Sequence, residues 1–341
     1  MESKIILLIT ILILIVILSI LIFKWKNEKC KSPTKNEEKI NKKPKLSAKP
    51  TFERDGEFEV KTGFRANATK NKQKLPKHFF AAKEWPNYIT GIFDQERCGS
   101  CWSFVSAAAL TDRIRIKTRG KRLSNGNYLS PFHLAACIKC GKENVCPRVC
   151  EGNYLDDVMQ FLVDHGTASQ SDIEKYYNKA ESRDGRNPEE YACFDYAKAG
   201  VKPYKGKFKY RVNLYPPSML NGNRSNLEEN MHAMMEDIFN NGPVCCIIRV
   251  YSPPDSRNFY TYKSGVYGAG WKQEPAQTDG YHAINIMGWG EEVKDGKTIR
   301  FWIIRNSWGD DWGTSGLGKV LRGENFGLIE SDVWGIMPLI E

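Results

Sequence analysis

The chain has 341 residues, of which 41% are hydrophobic, 12% aromatic and 26% charged, a globular composition that excludes collagen-like, wholly disordered and small disulfide-scaffold proteins. A net charge of +10 would suit a nucleic-acid-binding fold, but residues 24–74 alone hold 16 Lys/Arg against 7 Asp/Glu. The rest is close to neutral, so no nucleic-acid partner is expected and the charge belongs to a tail.

The first element is apolar. Ile5 to Phe23 is an unbroken run of Ile, Leu, Val and Phe interrupted only by Thr10 and Ser19, long enough to cross a bilayer as a helix. It ends in Ile22-Phe23-Lys24-Trp25, without the small residues of a signal-peptide cleavage site, so a single-pass membrane anchor over 5–23 is predicted. Residues 24–74 are Lys-rich, carry Pro33, Pro44 and Pro50, and show no sustained apolar period, which reads as a basic linker or a pro-segment.

From Leu75 to the end the texture is that of a packed domain. Ser100–Lys117 carries an Ala-rich apolar stripe at helical spacing, and Leu155–His165 is a shorter amphipathic helix. Asn226–Asn240 reads as a third helix, stopped by Asn241-Gly242-Pro243. Strands are predicted over Val244–Tyr251, His282–Trp289, Ile299–Arg305 and Gly318–Leu321, separated by glycine-rich turns. Helices first and strands later indicate an α+β fold with two subdomains.

Chemistry concentrates in Gln95-Glu96-Arg97-Cys98-Gly99-Ser100-Cys101-Trp102. Cys101 would open the helix, where the positive end of the dipole favours a thiolate, the form that attacks a carbonyl. An imidazole is needed to hold the thiolate and later protonate a leaving amine, and an amide side chain to orient it. Of the histidines at 78, 133, 165, 232 and 282, only His282, in Gly280-Tyr281-His282-Ala283, has suitable surroundings. Asn306-Ser307-Trp308-Gly309 supplies the amide, with Trp308 placed to shield the hydrogen bond from water.

These strings resemble the papain-like cysteine peptidases, and specifically the cathepsin B branch. The resemblance covers residues 75–341 and extends to Leu75-Pro76, Glu84-Trp85-Pro86, Thr111-Asp112-Arg113-Ile114, Gly288-Trp289-Gly290 and Ile329-Glu330-Ser331. It implies a helical left subdomain, a barrel-like right one, and a cleft in which Cys101 faces His282. It also implies that Gln95 and the Cys101 amide stabilise the oxyanion. No cofactor is implied; the partner is a protein or peptide substrate, and the enzyme is expected to be a monomer.

Cysteine spacing leaves two readings of Cys137, Cys140, Cys146 and Cys150: a structural zinc site or disulfides. The resemblance favours Cys98 with Cys150, Cys140 with Cys146 and Cys137 with Cys193, and no metal. A further cathepsin B bridge falls on Tyr88 and Arg115, so both of its ends are missing together. Cys245 and Cys246 read as buried free thiols.

The substrate site implied by the resemblance includes Gly152, Asn153, Trp308 and Asp332. Asn153 stands where the family has a second glycine, and Asp332 where cathepsin B has an acid at the floor of the pocket for P2, the second residue before the scissile bond. Arg at P2 is therefore expected to be accepted. The insertion at roughly 166–210 contains no histidine, and Lys175, Lys179 and Lys198 would be only unspecific substitutes for a histidine pair binding a C-terminal carboxylate. Endopeptidase activity without efficient C-terminal dipeptide removal follows. A pseudoenzyme should lack one of Gln95, Cys101, His282 and Asn306; an acyl-enzyme resolved by an amine would make the chain a ligase.

Topology receives two opposed signals. Lys24, Lys26, Lys29 and Lys31 follow the apolar run, which favours a cytosolic domain, whereas the paired cysteines favour an oxidising space. The expectation is a peptidase domain on the luminal or external side.

Overall fold

The computed structural model describes residues 44–52, 73–139, 149–177, 193, 195–253 and 257–340. The expected anchor at 5–23 and the Cys140–Cys146 pair lie outside them. Among the described residues no helix is long and apolar enough to cross a membrane.

In chain order the helices are α1 (Ala81–Glu84), α2 (Cys101–Thr118), α3 (Pro131–Lys139), α4 (Leu155–Asp164), α5 (Gln170–Tyr177), α6 (Tyr196–Ala199) and α7 (Arg224–Asn241). The strands are β1 (Ala48–Lys49), β2 (Phe79–Phe80), β3 (Asn153–Tyr154), β4 (Gly206–Arg211), β5 (Val244–Val250), β6 (Val266–Tyr267), β7 (Gly280–Lys294), β8 (Lys297–Arg305), β9 (Leu317–Leu321) and β10 (Val333–Pro338). One sheet runs β4-β10-β5-β7-β8-β9-β6, with β2 added to β7. The predicted helices over 100–117, 155–165 and 226–240 appear as α2, α4 and α7, each within two residues of its expected ends. Strand β7 is much longer than its apolar stretch, because past Trp289 it continues as an exposed hairpin with β8.

The sheet separates two cores. Along β5, Cys246, Ile248 and Val250 face one apolar cluster while Cys245 and Ile247 face the other. A strand covered on both faces reads as a continuous apolar run, which explains why both thiols are free and fully buried. Helix α2 packs in the second cluster and is buried on every side from Cys101 to Arg115.

Burying α2 this completely requires partners for its charges. Asp112 accepts from Arg305 Nη2 at 2.9 Å and from Thr90 N and Oγ1 at 2.6 and 2.8 Å. Arg113 donates to Asp237 Oδ2 at 2.5 Å and to Tyr210 Oη at 2.6 Å. Arg115, one of the two positions of the missing bridge, instead donates to the carbonyls of Leu123, Ser124 and Asn127. These pairs lock the helix to β8, α7 and the following turn, and so fix where its N-terminus lies.

Candidate active site

Cys101 is the first residue of α2, after an N-cap at Ser100, and is fully buried. The other residues come from adjacent antiparallel strands. His282 lies near the start of β7, opposite Ile248 of β5, and Asn306 directly follows β8, whose Arg305 pairs with Asn285.

His282 Nε2 and Asn306 Oδ1 are 2.7 Å apart. The same oxygen accepts from Ser307 N at 2.8 Å, which fixes which end of the amide faces the ring. Nε2 must therefore carry the proton, and the buried Nδ1, which has no hydrogen-bond partner, keeps its lone pair. The Trp308 ring lies 4.5 Å from the imidazole centroid and is itself stacked on Tyr260 at 5.2 Å, closing that side to water. Trp308 thus packs against the histidine ring.

Gln95 is held on three sides. Its amide N donates to Ser307 O at 2.8 Å, its Oε1 accepts from Ser307 Oγ at 2.6 Å, and its Nε2 donates to Cys98 O at 2.8 Å, leaving Nε2 a second hydrogen. Ser307 was not singled out from sequence, although its place between Asn306 and Trp308 was the available signal. The Cys98–Cys150 disulfide ties this loop to the stretch bearing Gly152 and Asn153.

A second stretch that sequence reasoning did not place is 44–52, which runs through the groove. Ser47 Oγ lies 3.7 Å from Cys101 Sγ and donates to Gly99 O. Ala48 and Lys49 form a parallel ladder with Asn153 and Tyr154. Gly152 adopts φ +97, and a Cβ there would stand 1.9 Å from Ser47 O, so this approach requires glycine. Asn153 turns its Oδ1 back onto Tyr154 N at 2.8 Å. Farther along, Thr51 N donates to Asp332 Oδ2 at 2.6 Å and Phe52 meets Tyr281 edge-on.

Burial decides the electrostatics. Burial pushes the Cys101 thiol above its ordinary value, against hydrogen bonds from the Ala283 and Ser47 main chain and the Ser47 hydroxyl. Burial likewise pushes His282 down to about 4, against the Asn306 hydrogen bond. Both shifts favour the neutral forms of the two groups. The thiolate expected from the helix dipole alone is overridden by desolvation.

Asp332 is fully buried and already occupied: Oδ1 accepts from Trp334 Nε1 at 2.7 Å and faces Arg211 Nη1 at 3.4 Å. The acid that the resemblance puts at the pocket floor is one half of an ion pair with Arg211. Cys137 and Cys193 are joined by a disulfide, so the trio His133, Cys137 and Cys193, which clusters within 4.8 Å, has no thiolates to offer a metal. With Cys150 also bridged, the four-thiolate zinc reading does not describe this structure. Lys175 and Lys198 are exposed, while Lys179 and residues 178–192 of the insertion lie outside the described residues.

Residues 75–336 match the family model "Papain family cysteine protease". The chain is 31% identical over 276 residues to a cathepsin B-like cysteine proteinase of Schistosoma japonicum, covering 76% of this chain and 72% of that one. It is also 31% identical over 275 residues to a tubulointerstitial nephritis antigen-like protein of Homo sapiens, covering 77% of this chain but only 54% of that longer protein. In structure it is similar to procathepsin B S9 from Trypanosoma congolense, with a TM-score of 0.57 and 22% identity over 88% of this chain and 85% of that one, a likeness of fold.

Proposed function

The chain belongs to the papain family of cysteine proteases, and on that premise we propose that it is a cathepsin B-like endopeptidase whose nucleophile is Cys101. The observation that carries this reading is the His282–Asn306 hydrogen bond: with Nε2 donating to Asn306 Oδ1, Nδ1 is left as the free base of the ring.

In the proposed reaction Nδ1 takes the Cys101 proton and the thiolate attacks the scissile carbonyl carbon. The developing oxyanion is met by the Cys101 amide and the second hydrogen of Gln95 Nε2, in a site that costs little to organise because Ser307 already holds Gln95. Collapse breaks the C–N bond, His282 returns its proton to the leaving amine, and a thioester remains. Water, deprotonated by His282, then releases the acid and regenerates the thiol. Asn306 keeps the ring aligned through both halves.

The ladder between 48–49 and 153–154 supports reading 44–52 as a pro-segment that holds the enzyme latent. The apolar run at 5–23 supports a membrane anchor, with the peptidase domain luminal or external.

The test is incubation with a thiol-directed epoxide after the groove is opened, followed by mapping of the modified cysteine and assay on a fluorogenic peptide. Modification of Cys101 with parallel loss of turnover is expected. Turnover that survives complete modification of Cys101, or a Cys101→Ala chain that still cleaves, overturns the reading.

A further inference from the structure

We propose that Arg211 is a specificity-determining residue of this cleft, which neutralises Asp332 so that the pocket takes uncharged side chains at P2 and discriminates against Arg. This rests on the peptidase reading above and deepens it.

The argument begins with register. Arg211 of β4 is paired directly with Trp334 of β10, two residues beyond Asp332. Its guanidinium therefore lies over the Trp334 ring, 4.7 Å from the centroid, with Nη1 3.4 Å from Asp332 Oδ1. Stacking on an indole fixes the plane and position of a guanidinium, so this cation is held at the carboxylate by two contacts. Its side chain is 14% exposed and the Asp332 side chain not at all, which leaves water little room to screen the pair.

Both oxygens of the carboxylate are engaged while 44–52 is in place. Oδ1 is shared by Trp334 Nε1 and Arg211, and Oδ2 accepts the Thr51 amide. The one occupant that the structure places against Asp332 is thus an uncharged residue offering a main-chain N–H. A second cation, Lys209, also lies over the Trp334 ring, at 5.4 Å, and is paired with Asp156. A substrate guanidinium entering here would meet Arg211 at close range, with Lys209 just behind it. It would also have to displace Arg211 from a bond that is already charge-assisted. Discrimination through an unfavourable like-charge contact is a common basis of specificity.

The experiment compares kcat/KM for two fluorogenic peptides that differ only in Leu or Arg at P2, on one preparation of the full chain. Because the readout is a ratio, partial filling of the groove by 44–52 cancels. The unaltered chain is expected to favour Leu by at least about tenfold, a lower bound for one like-charge contact. Arg211→Gln should raise the Arg-to-Leu ratio at least about tenfold, and Arg211→Lys, which keeps the charge, should leave it low. Equal or better cleavage of the Arg peptide by the unaltered chain overturns the proposal, as does a ratio that Arg211→Gln fails to move. If neither peptide is cleaved and the epoxide leaves Cys101 unmodified, it is the peptidase reading that fails. The same two peptides are then compared by affinity for the Cys101→Ala chain, where equal binding overturns the role of Arg211 and preference for Leu supports it.

Discussion

The Ser47 hydroxyl lies 3.7 Å from the Cys101 sulfur across 54 residues of sequence, and donates to the carbonyl of Gly99 on the same loop. Ser47 is buried, and a Cβ on Gly99 would stand 2.6 Å from Ser47 Cβ, so Ser47 packs directly on the Gly99 main chain. Ser47→Arg should overpack the site by about 1–3 kcal/mol and raise the open fraction roughly 5- to 160-fold. Modification of Cys101 by the epoxide measures this directly. A rate unchanged by Ser47→Arg would remove the segment from any role in latency.

Opening should also depend on pH. His282 titrates at about 4 while covered and would return toward its ordinary value near 6.5 in water, so opening binds a proton between those limits. Acid therefore favours the open form, by up to about tenfold per pH unit across that window. The protection of the Thr51 amide against hydrogen exchange, corrected for intrinsic rates, should fall from pH 7 to pH 5, and His282→Gln should flatten the slope. Protection that rises as the pH falls would contradict the sign.

What the sequence made legible follows from how local each signal is. Cys101, His282 and Asn306 sit in short strings whose chemistry can be recognised one at a time, and α2 declares itself by an apolar stripe. The contact of Thr51 with Asp332 joins residues 281 apart and leaves no periodic trace. Asp332 could be placed from its string, but the neutralising Arg211 comes from β4, which paired with β10 without any local pattern that named its partner. Helix α3 was readable and went unread: Ser130 caps it through His133 N at 3.3 Å and Pro131 takes its first position, a combination that marks a helix start.

The roles proposed for the catalytic groups imply an order of losses. Cys101→Ala and His282→Ala should each lower kcat by about ten-thousandfold or more with the fold intact by circular dichroism. Asn306→Ala should cost less than either, since it orients the ring without bond making. Asn306→Asp should shift the acid limb of the kcat/KM profile upward, because a carboxylate beside Nε2 raises the imidazole pKa. If Asn306→Ala proved as damaging as Cys101→Ala, the division of roles would be wrong.

The ion pair beneath the site should be worth more to folding than to chemistry. Arg305 and Asp112 are 2.9 Å apart with side chains 3% and 0% exposed, and Arg305 also donates to Thr90 and Asn285. Arg305→Met strands a buried carboxylate and should lower stability by about 3–5 kcal/mol. The double change Arg305→Met with Asp112→Leu should recover much of that loss, because no lone charge then remains. Urea midpoints of the four chains give the coupling directly, and additive losses would show that the two groups do not act as a pair.

The last expectation concerns where residues 75–341 reside if the proposed anchor at 5–23 holds. Four lysines just after residue 23 favour the cytosol, but charge bias weakly constrains a large domain. The disulfides weigh more. Cys98–Cys150 and Cys137–Cys193 close loops of 52 and 56 residues, each worth about 4 kcal/mol on the chain-entropy account, and a reducing cytosol would forfeit both. Glycosylation separates the alternatives, since Asn67-Ala68-Thr69 and Asn223-Arg224-Ser225 are acceptor sequences used only in the lumen. Asn223 is exposed at the N-cap of α7, where its Oδ1 accepts from Asn226 N at 3.1 Å; a glycan on Nδ2 leaves that cap in place. Translation of the full chain with microsomes should therefore give a glycosidase-sensitive shift on a gel and protect residues 75–341 from added protease. An unglycosylated domain open to the protease would place it in the cytosol, where the two bridges could not be relied on to hold the fold.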